Sequence, residues 1–524
     1  MDRSLQQPPT GSLLEIQSFL RRAFAEGGRS ANAEQHYNLG NRMLDQGRAV
    51  DAVAAYRAAI CLKPYYSRAF SNMGNALHDL GRFEEAAGTY GQAITLQPDF
   101  VEAYCNLANV LNDLGRFDEA GTACRIAVCH QPNFAEAFYN LGIAQHQQGQ
   151  LAEAVAASTI AIHIRPDFAE AYNNRANGLK DLGRPRDALS AYKTAIILNP
   201  DCPEAHCNEA YARLLLGDTG AGWRKYEWRF RGGAGDLAPR AFRQPLWDGE
   251  DITGRTVLLH AEQGLGDTIQ FCRYAAMVKA GGGSVVLEAP ASLLRLFSGL
   301  DGIDRLIPTG NPLPDFDLHC PLMSLPRLFD TTLETIPAPR PYLSVEKRLQ
   351  RKWEKKLANG GRMRVGLVWA GNPVNRNDRN RSLPFAELAP LWQIPGINWY
   401  SLQTEERRHD LEAAPSGLVT DLSPHLKDFA ETAAALSQLD LLVSVDTAAA
   451  HLAGATGCPA WVMLPFAPDW RWLLGRDDSP WYPSLSLFRQ TERGNWADVV
   501  ARLAEALIEE AERRVRLDPP RKVA

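Results

Sequence analysis

Between residues 33 and 217 small and apolar positions recur in a fixed register, and beyond residue 256 that register gives way to short apolar runs alternating with amphipathic stretches. In the first region alanine recurs at Ala52, Ala86, Ala120, Ala154 and Ala188, and seven residues on at Ala59, Ala93, Ala127, Ala161 and Ala195. Positions seven apart share a helix face, so each pair predicts a helix that a partner helix approaches closely. Aromatics at Phe70, Tyr104, Phe138 and Tyr172 fill the space between helices. In the second region TVLLH, SVVLEA and DRLIP, then RVGLVWAG, NWYSLQ, LDLLVSVDT and AWVMLP, read as strands. Between them TIQFCRYAAMVKA, LLRLFSGL, LPFAELAPLW, ETAAALSQL and AAAHLAGATG read as helices, and DVVARLAEALIEEAERRV as a further amphipathic one. Strand, glycine loop and helix in alternation predict doubly wound parallel sheets.

Glycine and proline punctuate the first region at the same spacing. Gly47, Gly81, Gly115, Gly149, Gly183 and Gly217 stand where a left-handed turn follows each first helix. Pro64, Pro98, Pro132, Pro166 and Pro200, always 34 residues apart, stop each second helix. A 34-residue period with these residues resembles the tetratricopeptide repeat (TPR). It gives five full repeats over 33–202 and a sixth first helix ending near Gly217.

One column carries amides instead of apolar residues. Asn38, Asn72, Asn106, Asn140, Asn174 and Asn208 hold one position in successive first helices. On the same face follow Asn41, Asn75, Asn109 and Asn177, then Asp45, Asp79, Asp113 and Asp181. The plain alternative is a solvated helix face that happens to use asparagine, but asparagine is a poor helix former and six stand in one column. An amide both donates and accepts, and so suits an extended peptide backbone of any sequence. The ladder resembles that of the TPR superhelix in eukaryotic-type O-GlcNAc transferases, which implies a groove holding a protein substrate.

Charge and cysteine usage narrow the partners. A formal net charge of −5 supplies no broad basic field for nucleic acid or an anionic membrane. The opening MDRSLQQPPT has no apolar h-region after it, and no apolar run reaches the length of a membrane span. Among the nine cysteines, Cys124 with Cys129 and Cys202 with Cys207 lack histidines at zinc-site spacing. Reduced thiols in a cytoplasmic protein are the expectation.

The second half carries two loop motifs. Gly264-Leu265-Gly266-Asp267 follows a first strand and opens a helix. SVDTAAAHLAGATGCPAWVML, with Asp446, Thr447 and His451, follows a later strand. Both resemble glycosyltransferase family 9, the heptosyltransferase-like family. With SLQ at 401–403 and the DWRW…WYP segment at 469–483, the pairing is similar to bacterial proteins that fuse TPRs to such a transferase, flagellin glycosyltransferases of alphaproteobacteria among them. The resemblance implies a fold class of α + α/β: a TPR α-solenoid followed by a GT-B pair of Rossmann-like domains. The expected boundaries are 1–32 for an N-terminal helical or flexible segment and 33–234 for the TPR superhelix. The N-terminal Rossmann-like domain takes 235–345 and the C-terminal, nucleotide-sugar-binding one 346–524.

Asp267 is the candidate general base, removing the proton of an acceptor hydroxyl as it attacks the anomeric carbon, with a helix N-cap as the plain alternative. Gly264 and Gly266 either open space for a ligand or only form a turn. Asp446, Thr447 and His451 stand where a strand meets a helix N-terminus, a place that presents N–H groups to phosphate; capping and packing are their alternative. Two departures from the family pattern are Ala448, where a glycine follows Asp-Thr, and Arg381, which stands for the lysine near the donor phosphates and still offers a forked cation. Trp369, Asn372 and Gln403 end strands on the same edge and are candidate contacts to base, ribose or sugar, or strand-end packing. Asp469, Trp470, Arg471 and Trp472 read as core or interdomain packing. No DxD pair stands at a strand end, and Asp477-Asp478 lies in a loop, so a metal-independent, inverting transferase with no cofactor beyond its nucleotide-sugar co-substrate is expected.

Three functions remain open at this point. The first is a protein O-glycosyltransferase acting on Ser or Thr of a polypeptide such as flagellin held in the groove. The second is a heptosyltransferase-like enzyme acting on a glycan or lipid-linked acceptor, with the repeats as an assembly scaffold. The third is a catalytically inactive TPR adaptor. The flagellin resemblance implies a CMP-linked nonulosonic acid, and the heptosyltransferase resemblance an ADP-sugar.

Overall fold

The computed structural model describes residues 33–232, 240–337, 341–357, 362–375, 377–404 and 406–517. The expected segment 1–32 and the expected boundary at 234/235 lie outside the described residues. The fold is α + α/β, in two units, the first ending at Asp201 and the second beginning at Cys202. Among the described residues no helix is long and apolar enough to cross a membrane, and all nine cysteines are free.

The first unit is a run of helical hairpins. Ala33–Asp45 pairs with Ala49–Leu62, Ser67–Asp79 with Phe83–Leu96, and Val101–Asp113 with Phe117–His130. Ala135–Gln147 then pairs with Leu151–Ile164, and Ala169–Asp181 with Pro185–Leu198. The turn glycines adopt φ between 70° and 82°, the left-handed conformation the sequence predicts for them. Both alanine columns are buried, since only a methyl group fits where the helices touch.

The asparagine column does have a packing role. Asn72 Nδ2 donates to Asn41 Oδ1 at 2.9 Å, and Asn106 Nδ2 to Asn75 Oδ1 at 3.0 Å, each reaching back to the preceding repeat. The same oxygens accept from the phenols of Tyr56 and Tyr90 at 2.8 and 2.6 Å. Each amide thereby joins its own second helix to the next hairpin. Asn140 is buried and donates to the Cys105 carbonyl at 3.0 Å. Thirty-one positions before Asn174 stands Ile143, where Asn72 and Asn106 have an asparagine, and the Asn174 amide nitrogen is enclosed without a partner. Asn38 is exposed. The aspartate row is engaged too: His78 meets Asp113, and His146 meets Asp181, each at 2.9 Å. Burial pushes the Asp181 carboxyl up, but Lys180 and His146 outweigh it and bring it down to about 2.

The second unit opens with a sixth hairpin, Pro203–Leu215 and Thr219–Tyr226, turning at Gly217. The division at 201 therefore falls well before the expected end of the solenoid at 234. The physical reason is the short second helix, 8 residues long. Its Trp223 and Tyr226, with Leu214 and Leu215, are buried in one core with the following sheet instead of supporting a seventh repeat.

Two parallel sheets follow. The first contains β1 (Thr256–His260), β2 (Ser284–Ala289), β3 (Arg305–Pro308) and β4 (Leu318–Pro321), in the order β3-β2-β1-β4. The second contains β5 (Met363–Val368), β6 (Ile397–Ser401), β7 (Val419–Asp421), β8 (Leu441–Val445), β9 (Ala460–Leu464) and β10 (Leu485–Arg489), in the order β10-β9-β8-β5-β6-β7. Strand order reverses between β1 and β4 and again between β5 and β8, and ligands of such sheets bind beyond the carboxyl ends at those reversals. LPFAELAPLW is a 3-10 helix over Phe385–Gln393, because Pro390 inside it donates no N–H.

Candidate functional site

The chain beyond β1 sets the first half of the site. Gly264 precedes the helix Leu265–Phe271, and its N–H donates to Asp267 Oδ2 at 2.9 Å. Asp267 thus caps the helix as well as facing the second sheet. Gly266 has a packing reason: a Cβ there would stand 2.8 Å from His451 Cδ2 and 3.5 Å from Ala448 Cα. At Gly266, of the two readings left open, space for a ligand meets protein instead.

Beyond β8 comes the second half. Thr447 precedes the helix Ala448–Thr456, and its hydroxyl lies 3.0 Å from Ser444 Oγ. Arg381 Nη1 donates to the Asp446 carbonyl at 3.2 Å. His451 Nδ1 is 3.0 Å from the Tyr482 hydroxyl, and its Nε2 is 3.8 Å from Asp446 Oδ1. Burial, with Arg471, Arg273 and Arg381 nearby, holds the imidazole pKa far below its ordinary value. The His451–Asp446 contact is therefore one between a neutral ring and a carboxyl group, not an ion pair.

Arg471, which the sequence reading assigned to packing, joins the halves. Its Nε donates to Gln270 Oε1 and its Nη1 to Asp469 Oδ1, both at 2.8 Å, while Nη2 donates to Asp267 Oδ1. The sequence signal is the charged pair Asp469 and Arg471 inside an otherwise apolar, tryptophan-bearing stretch, since a buried cation requires partners. Burial raises the Asp267 carboxyl above its ordinary value, and Arg471 opposes that rise.

Asp446 carries the clearest electrostatic load. Burial, and then the neighbouring Asp469, lift its pKa from 3.8 to about 6. A carboxyl raised on folding contributes stability that is full below its unfolded value and lost as pH rises through the folded one. At pH 7 the group is ionised in a site that disfavours its charge. Asp446→Asn is therefore expected to stabilise the chain by about 2–3 kcal/mol near pH 7 and not at all below pH 4. Thermal unfolding of both proteins across pH checks this, and equal melting temperatures at pH 7 would refute it.

The remaining candidates do not enter this cluster. Trp369 is fully buried against Phe385, with ring centroids 4.7 Å apart, and its indole N–H donates to Asp410 at 2.9 Å. It offers no face to a base, so its expected donor contact is corrected to core packing. Gln403 is also buried: its Oε1 accepts from the Trp369 and Ala370 N–H groups at 3.1 and 3.0 Å, and its Nε2 donates to the Ala370 carbonyl at 3.1 Å. It braces the strand end that leads to Arg381. Asn372 is exposed and accepts from the Val374 N–H at 2.9 Å, closing a turn.

Comparison with known proteins agrees with the repeats. Models described as TPR repeat or tetratricopeptide repeat match residues 74–115, 135–157 and 169–202. Protein FlbA of Caulobacter vibrioides (strain ATCC 19089 / CIP 103742 / CB 15) is 30% identical over 325 residues, 56% of this chain and 53% of that protein. The chain thus spans about half the length of the curated relative it matches. Solved structures with similar regions include residues 41 to the end of MamA from Desulfovibrio magneticus RS-1 (20% identity, 33% of this chain and 97% of that one, TM-score 0.30). YrrB, titled a TPR protein with an unusual peptide-binding site, shows 23% identity over 35% and 94% with a TM-score of 0.29. PilW, titled a widely conserved type IV pilus biogenesis factor, shows 21% identity over 40% and 97% with a TM-score of 0.36.

Proposed function

We propose that the chain is a protein O-glycosyltransferase of GT-B type that moves a sugar from a nucleotide donor to Ser or Thr of a polypeptide engaged by the repeats. What carries the reading is the convergence of Asp267, tied to Arg471 at the first sheet's reversal, with Asp446, Thr447, His451 and Arg381 at the second sheet's, where Gly266 packs against His451 and Ala448. The acceptor oxygen attacks the anomeric carbon as its proton passes to Asp267. The bond from that carbon to the donor phosphate oxygen breaks with its electrons on the phosphate, so a single displacement inverts the anomeric centre. In this reading Arg381, the Thr447 hydroxyl and the N-terminus of Ala448–Thr456 partner the departing charge.

A second reading has its own observation. The asparagine amides spend hydrogen bonds between repeats, which suits a scaffold serving a glycan or lipid-linked acceptor. One experiment separates the two: the purified chain is offered CMP-, ADP-, UDP- and GDP-sugars with flagellin or with a glycan acceptor. Intact mass is expected to rise by one sugar on the polypeptide with one donor class. A mass gain on the glycan alone would establish the second reading, and no gain on either would remove both.

A further inference from the structure

We infer that the sixth hairpin and the residues just after it belong to the transferase framework: Tyr226, through Gln263, and Arg229, through Glu262, are positioning residues for the loop that carries Asp267. The inference rests on the reading of Asp267 as the base. It starts from the backbone between β1 and Asp267. Gln263 has φ of 58°, a left-handed conformation that a side chain with a Cβ disfavours. Only three described non-glycine residues have positive φ, and a second of them, Leu473, directly follows the Arg471 turn. Such a conformation persists only where its surroundings hold it.

The hairpin supplies that hold. Gln263 Nε2 donates to the Tyr226 hydroxyl at 2.7 Å, and Tyr226 is fully buried. One residue earlier, Arg229 grips both oxygens of Glu262 through Nε and Nη2 at 3.0 and 2.9 Å. Arg229 Nη1 also donates to the Tyr226 carbonyl at 3.1 Å and to Glu227 at 2.7 Å, so tyrosine and arginine act as one bracket. The bracket is packed in place: Trp223 meets Trp470 at right angles with centroids 5.2 Å apart, and its indole N–H donates to the Thr331 carbonyl at 3.1 Å. The same helix therefore backs the Asp267 loop and the residue beside Arg471. A proton acceptor must sit at a fixed distance from its donor, and a displacement of about 1 Å costs up to about a hundredfold in rate.

The test uses the full chain with Tyr226→Phe, which removes one hydroxyl and keeps the ring. Expected are a fall in kcat of about tenfold to a hundredfold with KM for the donor unchanged within twofold, and faster amide exchange at residues 262–267 than in the wild type, with Ala448–Thr456 unaffected. Adding Gln263→Gly is expected to restore most of the lost rate, because glycine takes the left-handed conformation untethered. A general loosening of the hairpin would not be rescued in this way. Gln263→Met removes the same bond from the other side and replaces the first variant if Tyr226→Phe does not fold. Wild-type exchange in the tether variant, or no recovery with glycine, overturns the inference. A wild-type chain without transfer activity sinks the transferase reading, while the exchange measurement still judges the tether.

Discussion

Asp267→Asn is expected to slow transfer to an acceptor hydroxyl by about 10²- to 10⁴-fold while donor binding stays near that of the wild type. The substitution keeps the shape of the side chain, and the asparagine oxygen still accepts from the Gly264 N–H, so the helix start survives. What is lost is the capacity to take a proton, together with the acceptor that Oδ1 offers Arg471. In the native site one carboxylate oxygen is held by that N–H and the other by Arg471. Each oxygen retains a lone pair, so the group is oriented from both sides and remains basic toward a third partner. Burial, which raises the carboxyl above its ordinary value, strengthens it as a base. Single-turnover rates beside equilibrium donor binding measure the effect. A rate within threefold of the wild type would remove Asp267 from the chemistry.

Arg471→Met is expected to act on stability and on pH dependence together. Methionine fills much the same volume but leaves Asp267 and Asp469 without their cation. Breaking a buried pair from one side costs about 3–5 kcal/mol; Asp469 is a third exposed, which places this case at about 3 kcal/mol or below. The sign for Asp267 follows from the opposing influences on it. Arg471 lowers a carboxyl that burial raises, so without the arginine the acid form persists to higher pH. The acid limb of the rate profile is therefore expected to move upward. Denaturation midpoints and a pH–rate profile check the two parts separately. An unmoved acid limb would show that Asp267 does not feel the guanidinium.

The repeats are legible in the sequence because their punctuation is local. A glycine turn and a helix-stopping proline act within a few residues, so Gly81 and Pro98 announce themselves without knowledge of their neighbours in space. The asparagine column is just as visible, yet its purpose is not. The acceptor for Asn106 is Asn75, 31 positions earlier, and only the stacked hairpins make them neighbours. Strands divide on the same principle. The interior strands β1, β2, β5, β6, β8 and β9 read as apolar runs, as does the edge strand β3, whereas β4, β7 and β10 do not stand out in the sequence. All three lie at sheet edges, where one side has no strand to pair with and the apolar pattern is weaker.

The site divides in the same way. Asp267, Asp446 and His451 stand out because strand, loop and helix follow one another along the chain. Arg471 does not, because its partner Asp267 is 204 positions away. Trp369 and Gln403 sit at a strand end as expected, but a strand end does not reveal whether a side chain turns toward solvent or toward the core. Burial of both settles that point.

The placement of Trp223 and Tyr226 in the core of the second unit bears on how such a chain is inherited. In a repeat array each unit supports mainly its neighbours, so whole 34-residue units are in general open to gain or loss. The hairpin of 203–226 is not exchangeable, although it wears the same sequence uniform. It is expected to be retained with the sheet whose core it completes, and a lineage that trimmed its repeats to the last is expected to stop there.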